Sequence, residues 1–250
     1  MNAISLRNVS RNFGGIRAVA DISFDVSDGE RLTIIGTNGA GKSTLFNLIS
    51  GFYKPSSGEI DIFNTNVSRK SARHRQKLGV ARTFQSSKLF AGLTVKENLF
   101  VALFKSQKIS KNSWLKNPNK SEEFQSKVQE SLVKSDLLKR ADDKVSDLSY
   151  GESRQLEVAM ALITDPKILM LDEPAAGISP SERTRLVDFL RNLSSSVTLL
   201  LIEHDMSVAL AVADRVIVMH DGSIFTQGTA DQIRNSSEVR ELYLGTQHGK

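Results

Sequence analysis

Hydrophobic and polar residues alternate along Ile4 to Val9, Ala20 to Val26 and Gly58-Glu59-Ile60-Asp61-Ile62. A period of two marks a strand with one buried and one exposed face, so these segments predict a small antiparallel sheet near the N-terminal end. Arg31-Leu32-Thr33-Ile34-Ile35, Ile168-Leu169-Met170-Leu171 and Val197 to Ile202 are instead nearly continuous apolar runs. Such runs suit parallel strands covered on both faces. Thr44 to Ser50 places Leu45, Leu48 and Ile49 on one helical face, with Gly51 as the stop. Between Ser86 and Asp165 the apolar spacing is mostly helical, and Asp165-Pro166 ends that region, because a proline drives the residue before it out of the helical conformation. The predicted fold is α/β: a core of parallel strands, an N-terminal antiparallel β subdomain and an inserted helical subdomain. The core is expected over residues 1–85 and 166–250 and the helical part over 86–165. There is no internal repeat and no low-complexity linker.

Composition narrows the classes. The chain has 250 residues, 40% of them hydrophobic, enough for one large domain or a domain with a subdomain. It has no cysteine, which excludes a disulfide framework, a thiolate metal site and a cysteine nucleophile, and fits a reducing compartment. A net charge of +5 suits a nucleic acid, an anionic membrane surface or plain solubility. There is no basic stripe interleaved with aromatics, so nucleic acid is not an expected partner. Met1 to Phe13 is polar and carries Arg7 and Arg11, so no secretory signal is expected there. The apolar runs are far shorter than the ~20 residues that span a bilayer. At a membrane, other subunits would have to carry the chain. Lys105 to Lys120 holds five lysines with Trp114 and Pro118. It reads either as a solvated surface insertion or as a contact with a partner or anionic headgroups.

The candidate chemistry begins at Gly36-Thr37-Asn38-Gly39-Ala40-Gly41-Lys42-Ser43-Thr44, which fits G-x-x-x-x-G-K-[ST] between a predicted strand and a predicted helix. In that context the glycines let successive amides face one anion, and the helix N-terminus adds its positive end. Lys42 is expected on the β- and γ-phosphates of a nucleoside triphosphate and Ser43 on Mg²⁺. The strand Ile168 to Leu171 ends in Asp172-Glu173. Asp172 is expected to orient the metal or its waters, and Glu173 to polarise an attacking water.

Leu148-Ser149-Tyr150-Gly151-Glu152 resembles the signature of the ATP-binding-cassette (ABC) family, usually written LSGGQ, with Tyr150 for the first central glycine and Glu152 for the glutamine. Ser149 is placed to cap a helix that starts near Gly151. The resemblance implies that Ser149, Gly151 and Glu152 meet ATP held by a facing subunit, in a head-to-tail dimer. It also implies that Gln85, in Arg82-Thr83-Phe84-Gln85, senses Mg²⁺ and the attacking water, that His204 is the switch histidine on the γ-phosphate, and that Phe13 stacks on adenine. In Ala175-Ala176-Gly177-Ile178-Ser179, similar to the D-loop, Ser179 stands where the family has aspartate.

Phe13-Gly14-Gly15, Leu45 to Tyr53, Arg82 to Gln85, Pro174 to Ile178, Leu201 to Met206 and Tyr243-Leu244-Gly245 look like the larger ATPase subunit of branched-chain amino-acid importers. That resemblance implies an ATPase peripheral to the cytoplasmic face of the membrane. Its partners would be multi-span permeases, a second ATPase or a second copy of itself and, indirectly, a solute-binding protein. A urea or amide importer, a lipopolysaccharide exporter, a soluble ABC ATPase of repair or translation and a scaffold that does not hydrolyse stay open as alternatives. One P-loop without a long heptad run weighs against the soluble class, and Glu173 with His204 against the scaffold.

Overall fold

The computed structural model describes residues 1–83, 89–106 and 122–245. Gln85 and most of the Lys105 to Lys120 segment lie outside them. The elements in chain order are β1 (Asn2–Phe13), β2 (Ile16–Ser27), β3 (Arg31–Gly36), α1 (Lys42–Ser50), β4 (Ser57–Ile62), β5 (Thr65–Asn66), α2 (Ala72–Lys77), β6 (Val80–Arg82), α3 (Val95–Ser106) and α4 (Glu122–Lys134). Then follow α5 (Tyr150–Leu162), β7 (Ile168–Asp172), α6 (Pro180–Arg191), β8 (Thr198–Ile202), α7 (Met206–Val212), β9 (Arg215–His220), β10 (Ser223–Gly228), α8 (Ala230–Asn235) and α9 (Ser237–Gly245).

The alternating segments form an antiparallel sheet of order β2-β1-β4-β5. Leu6 faces Phe24 on one side and Ile60 on the other, so the apolar positions share one face. The continuous apolar runs β3, β7 and β8 pair in parallel within a second sheet of order β10-β9-β3-β8-β7-β6. All five residues of β7 and of β8 are buried. The hairpin of β9 and β10, with β9 parallel to β3, extends that sheet. Leu45, Phe46, Leu48 and Ile49 of α1 join Ile4, Leu6, Ile34, Met170 and Ile202 in one buried cluster. Burial of such side chains contributes roughly 1.5–3 kcal/mol each.

The chain divides into two compact units. The first comprises Met1–Val80, Lys167–Glu173 and the chain from Leu193 onward; the second comprises Ala81–Pro166 and Pro174–Asn192. The second has its own core, built from Val95, Leu99 and Leu103 of α3, Val128 and Leu132 of α4, and Leu156 and Ala159 of α5. Spacings of three and four residues put each set on one helical face. Among the described residues no helix is long and apolar enough to cross a membrane.

One buried charge secures the helix that carries the P-loop lysine. Arg75 of α2 is fully buried. Its Nη1 donates to the carbonyls of Leu48 and Ile49, each at 2.6 Å, and Nη2 to Val67 at 2.7 Å. Leu48 and Ile49 stand in the last turn of α1, where carbonyls lack intrahelical donors and carry the negative end of the helix dipole. Burial lowers the guanidinium to about 10, so it stays charged at neutral pH. Arg75→Leu is expected to remove three charge-assisted hydrogen bonds to backbone carbonyls and to destabilise the fold by about 2–4 kcal/mol. A urea unfolding midpoint equal to that of the parent protein would refute this role.

Candidate functional site

Strand register gathers the predicted groups of the first unit. Ile34 pairs with Ile202, and Ile202 with Asp172. The turn after β3, the two acids at the end of β7 and the residues following β8 therefore leave the sheet at one edge. The C-terminal edge of a parallel sheet is where α/β proteins place ligands.

The turn after β3 runs from Gly36 through Thr37, Asn38, Gly39 and Ala40 to Gly41, where α1 begins. Asn38, Gly39 and Ser43 are exposed, whereas Ala40 is buried and donates its amide to the Thr37 carbonyl at 3.2 Å. Gly41 is the N-cap of α1 at φ 91°, and a Cβ there would run into the Ala18 carbonyl oxygen. Only glycine meets both demands. Gly41 has no side chain to cap the helix and the first turn of α1 holds no acid. The leading amides of α1 therefore have neither a capping side chain nor an acid of their own first turn against them.

Lys42 is only 5% exposed. Its Nζ donates to the carbonyls of Gly36 at 2.7 Å and Thr37 at 2.9 Å, folding the side chain back over the turn. Burial lowers its pKa below the ordinary lysine value, and the charges of Glu173 and Asp172 partly offset this. The ammonium thus faces the two acids at the end of β7.

Glu173 adopts φ 51° and donates its backbone amide to the Ile202 carbonyl at 2.9 Å. A left-handed conformation is uncommon for a non-glycine residue and recurs at functional turns. It breaks the strand directly after Asp172. His204 follows β8, with its amide bonded to the Glu203 carboxylate at 3.2 Å. Nε2 of His204 stands 2.5 Å from Oε1 of Glu173. The imidazole side chain is 45% exposed and the carboxylate 16%, so the pair reaches out from the sheet edge. Asp172 is 5% exposed. It and the Ser43 hydroxyl offer oxygen donors, the hard set that magnesium takes. Among the described residues no three His, Cys, Asp or Glu side chains form a cage of their own.

Phe13 ends β1 and is 39% exposed. The Tyr53 ring meets it edge-on at 5.3 Å and the Arg11 guanidinium lies 4.6 Å from its centroid. Neither Arg11 nor Tyr53 stands out in the sequence as a site residue, because Tyr53 comes from the loop after α1 and joins Phe13 only in space.

The signature-like turn belongs to the second unit. Ser149 is the N-cap of α5: its Oγ accepts the Glu152 amide at 3.1 Å, and Glu152 Oε2 accepts the Ser149 amide at 2.8 Å. This reciprocal capping box turns the Glu152 side chain back onto its own helix, where Arg140 Nε stands 3.4 Å away. Tyr150 is exposed, with Arg154 donating to its hydroxyl and Gly177 under its ring. Ser179, at the D-loop aspartate position, is the N-cap of α6 and forms a second capping box with Glu182. The S-x-x-E spacing of Ser179 and Glu182 is visible in the sequence, but the contact between Glu182 and Ser149, 33 residues apart, is not.

The family model described as "ABC transporter" matches residues 19–176. The chain is 38% identical over 248 residues to the high-affinity branched-chain amino acid transport ATP-binding protein LivG of Escherichia coli, covering 97% of both chains. It is 35% identical over 251 residues to BraF of Pseudomonas aeruginosa, a protein of the same description, again covering 97% of each. Its fold is similar to a crystal structure of the ADP conformation of an ATP-binding cassette of an ABC transporter, with TM-score 0.86, 31% identity and coverage of 98% and 99%. A dimeric post-hydrolysis cassette bound to ADP and Pi is similar at TM-score 0.76 and 25% identity, over 91% of this chain and 98% of that one. With a P-loop after β3, two acids at the end of β7 and a histidine against the second acid, on a fold matched over nearly its whole length, the chain belongs to the ABC transporter family as one of its ATP-hydrolysing cassettes.

Proposed function

We propose that this cassette energises an importer of branched-chain amino acids from the cytoplasmic face of the membrane. It would be docked on multi-span permease subunits and paired with a second ATPase or a second copy of itself. The observation that carries the solute class is 38% identity to a branched-chain amino acid transport ATP-binding protein over 97% of both chains. In this reading Phe13 offers its exposed face to adenine. Lys42 swings from the Gly36 and Thr37 carbonyls to the phosphates, where fixed positive charge is the main catalytic contribution to phosphoryl transfer. Ser43 and Asp172 hold magnesium, which neutralises phosphate charge when bound. Glu173 accepts the proton of the attacking water, and His204 fixes the carboxylate beside the γ-phosphate. Ser149 and Gly151 receive the nucleotide of the facing subunit. Binding drives closure because the closed state holds ATP better than the open one.

The test is to tag the chain in its native cell, extract membranes in mild detergent and identify what co-purifies. Two multi-span permeases, with or without a second small ATPase, are expected. Uptake of labelled leucine by the reconstituted complex then reads the solute. Recovery only from the soluble fraction, with repair or translation factors, would overturn the transport reading and leave the ATPase chemistry in place.

A further inference from the structure

The turn from Ser149 to Gly151 already holds an anion. Ser149 Oγ donates to Oε1 of Glu182 at 2.7 Å. The other carboxylate oxygen, Oε2, accepts the Ser179 amide at 2.9 Å and its hydroxyl at 2.6 Å. A Cβ on Gly151 would run into the Glu182 carboxyl group, so the glycine gives this carboxylate its room. Glu182 is held down at about 2 by the bonds from Ser179 first, then Ser149, with the Gly151 amide adding to them. This preference belongs to the native state above the ordinary carboxylate value and is lost as pH falls from there towards 2. Ser149 has one hydroxyl proton, and it is spent on Glu182. It cannot be given to a phosphate oxygen at the same time. A carboxylate and a phosphate also repel each other at such a distance.

We propose that Glu182 is an intramolecular anion seated on the phosphate-recognising groups of the signature turn, and that the facing subunit's nucleotide must displace it before the two cassettes close. The inference rests on the reading that Ser149 and Gly151 receive that nucleotide. Glu182 thereby raises the ATP concentration at which closure occurs, and it holds Ser149 and the start of α5 in order while no nucleotide is present. The same residue caps α6, so leaving Ser149 changes contacts at the D-loop side as well.

The experiment uses the full-length protein carrying Glu173→Gln to block turnover. Dimer formation is followed by analytical ultracentrifugation across a titration with ATP and Mg²⁺. Its midpoint is divided by the ATP affinity measured on the same sample, so a general folding defect cancels. Adding Glu182→Gln keeps a capping side chain at the third position of α6 and removes the charge. The normalised midpoint is expected to fall about tenfold, the factor that separates a charge-assisted from a neutral hydrogen bond. Glu182→Asp, one methylene too short to reach Ser149 while still able to cap Ser179, is expected to move it in the same direction. A midpoint unchanged or raised in both variants, with Ser149→Ala still abolishing the dimer, overturns the role of Glu182 and spares the signature reading. Ser149→Ala without effect overturns that reading and this inference with it.

Discussion

Glu173→Gln is expected to lower ATP turnover by about 10²–10⁴-fold, the range that a positioned general base contributes. Nucleotide binding should be retained and a nucleotide-bound dimer should accumulate. Glutamine has the shape of glutamate and keeps a polar group 2.5 Å from His204 Nε2, but it cannot take a proton from water. The left-handed backbone at Glu173 and its amide bond to Ile202 do not depend on the side-chain charge, so the fold should be unaffected. Phosphate release under saturating ATP measures the effect. Hydrolysis at the parent rate would remove Glu173 from the chemistry and leave its carboxylate as a partner of His204 alone.

The second large effect is expected at Lys42. Its ammonium is the one P-loop side chain that carries positive charge, and in this structure it is stored on two backbone carbonyls of the same turn. A charged hydrogen bond contributes roughly 1.5–3 kcal/mol. Losing two of them to a phosphate weakens binding by about 10²-fold or more. Lys42→Ala should therefore lose most nucleotide affinity, and with it hydrolysis and dimer closure. A titration with a fluorescent ATP analogue reads it directly, and affinity within about twofold of the parent would count against the P-loop assignment. The substitution also removes a cation facing Glu173 and Asp172. An accompanying loss of thermal stability would not by itself account for weaker binding, because the Gly41 cap and the apolar face of α1 remain.

How much of this was legible beforehand follows from the range over which each cause acts. Alternation in β1, β2 and β4, the apolar runs of β3, β7 and β8, and the glycines of the P-loop reflect constraints within a few residues. Steric limits on φ and ψ and the two repeat lengths of strand and helix write such constraints into the local sequence. The Ser149 cap is of the same kind, since its partner Glu152 lies three residues on. The hairpin of β9 and β10 carries a readable pattern too, a buried run and then an alternating one, but it holds none of the chemistry-bearing residues that drew attention elsewhere.

The remaining features depend on where distant segments meet. Glu173 touches His204 because parallel pairing aligns Asp172 with Ile202, and register between strands is a property of the sheet. Arg75 reaches the end of α1 from 26 and 27 residues away, and an arginine among basic neighbours in α2 gives no sign of full burial. Tyr53 comes to Phe13 from the loop after α1, 40 residues along the chain. Glu182 in sequence is an ordinary third residue of a capped helix; in space its carboxylate is shared between two helix starts, α6 and α5. Residue type and spacing therefore state which chemistry is available and what backbone carries it. The partner of each charged group is set by the packing of elements far apart in the chain, where an unpaired buried charge costs more than any local preference can recover.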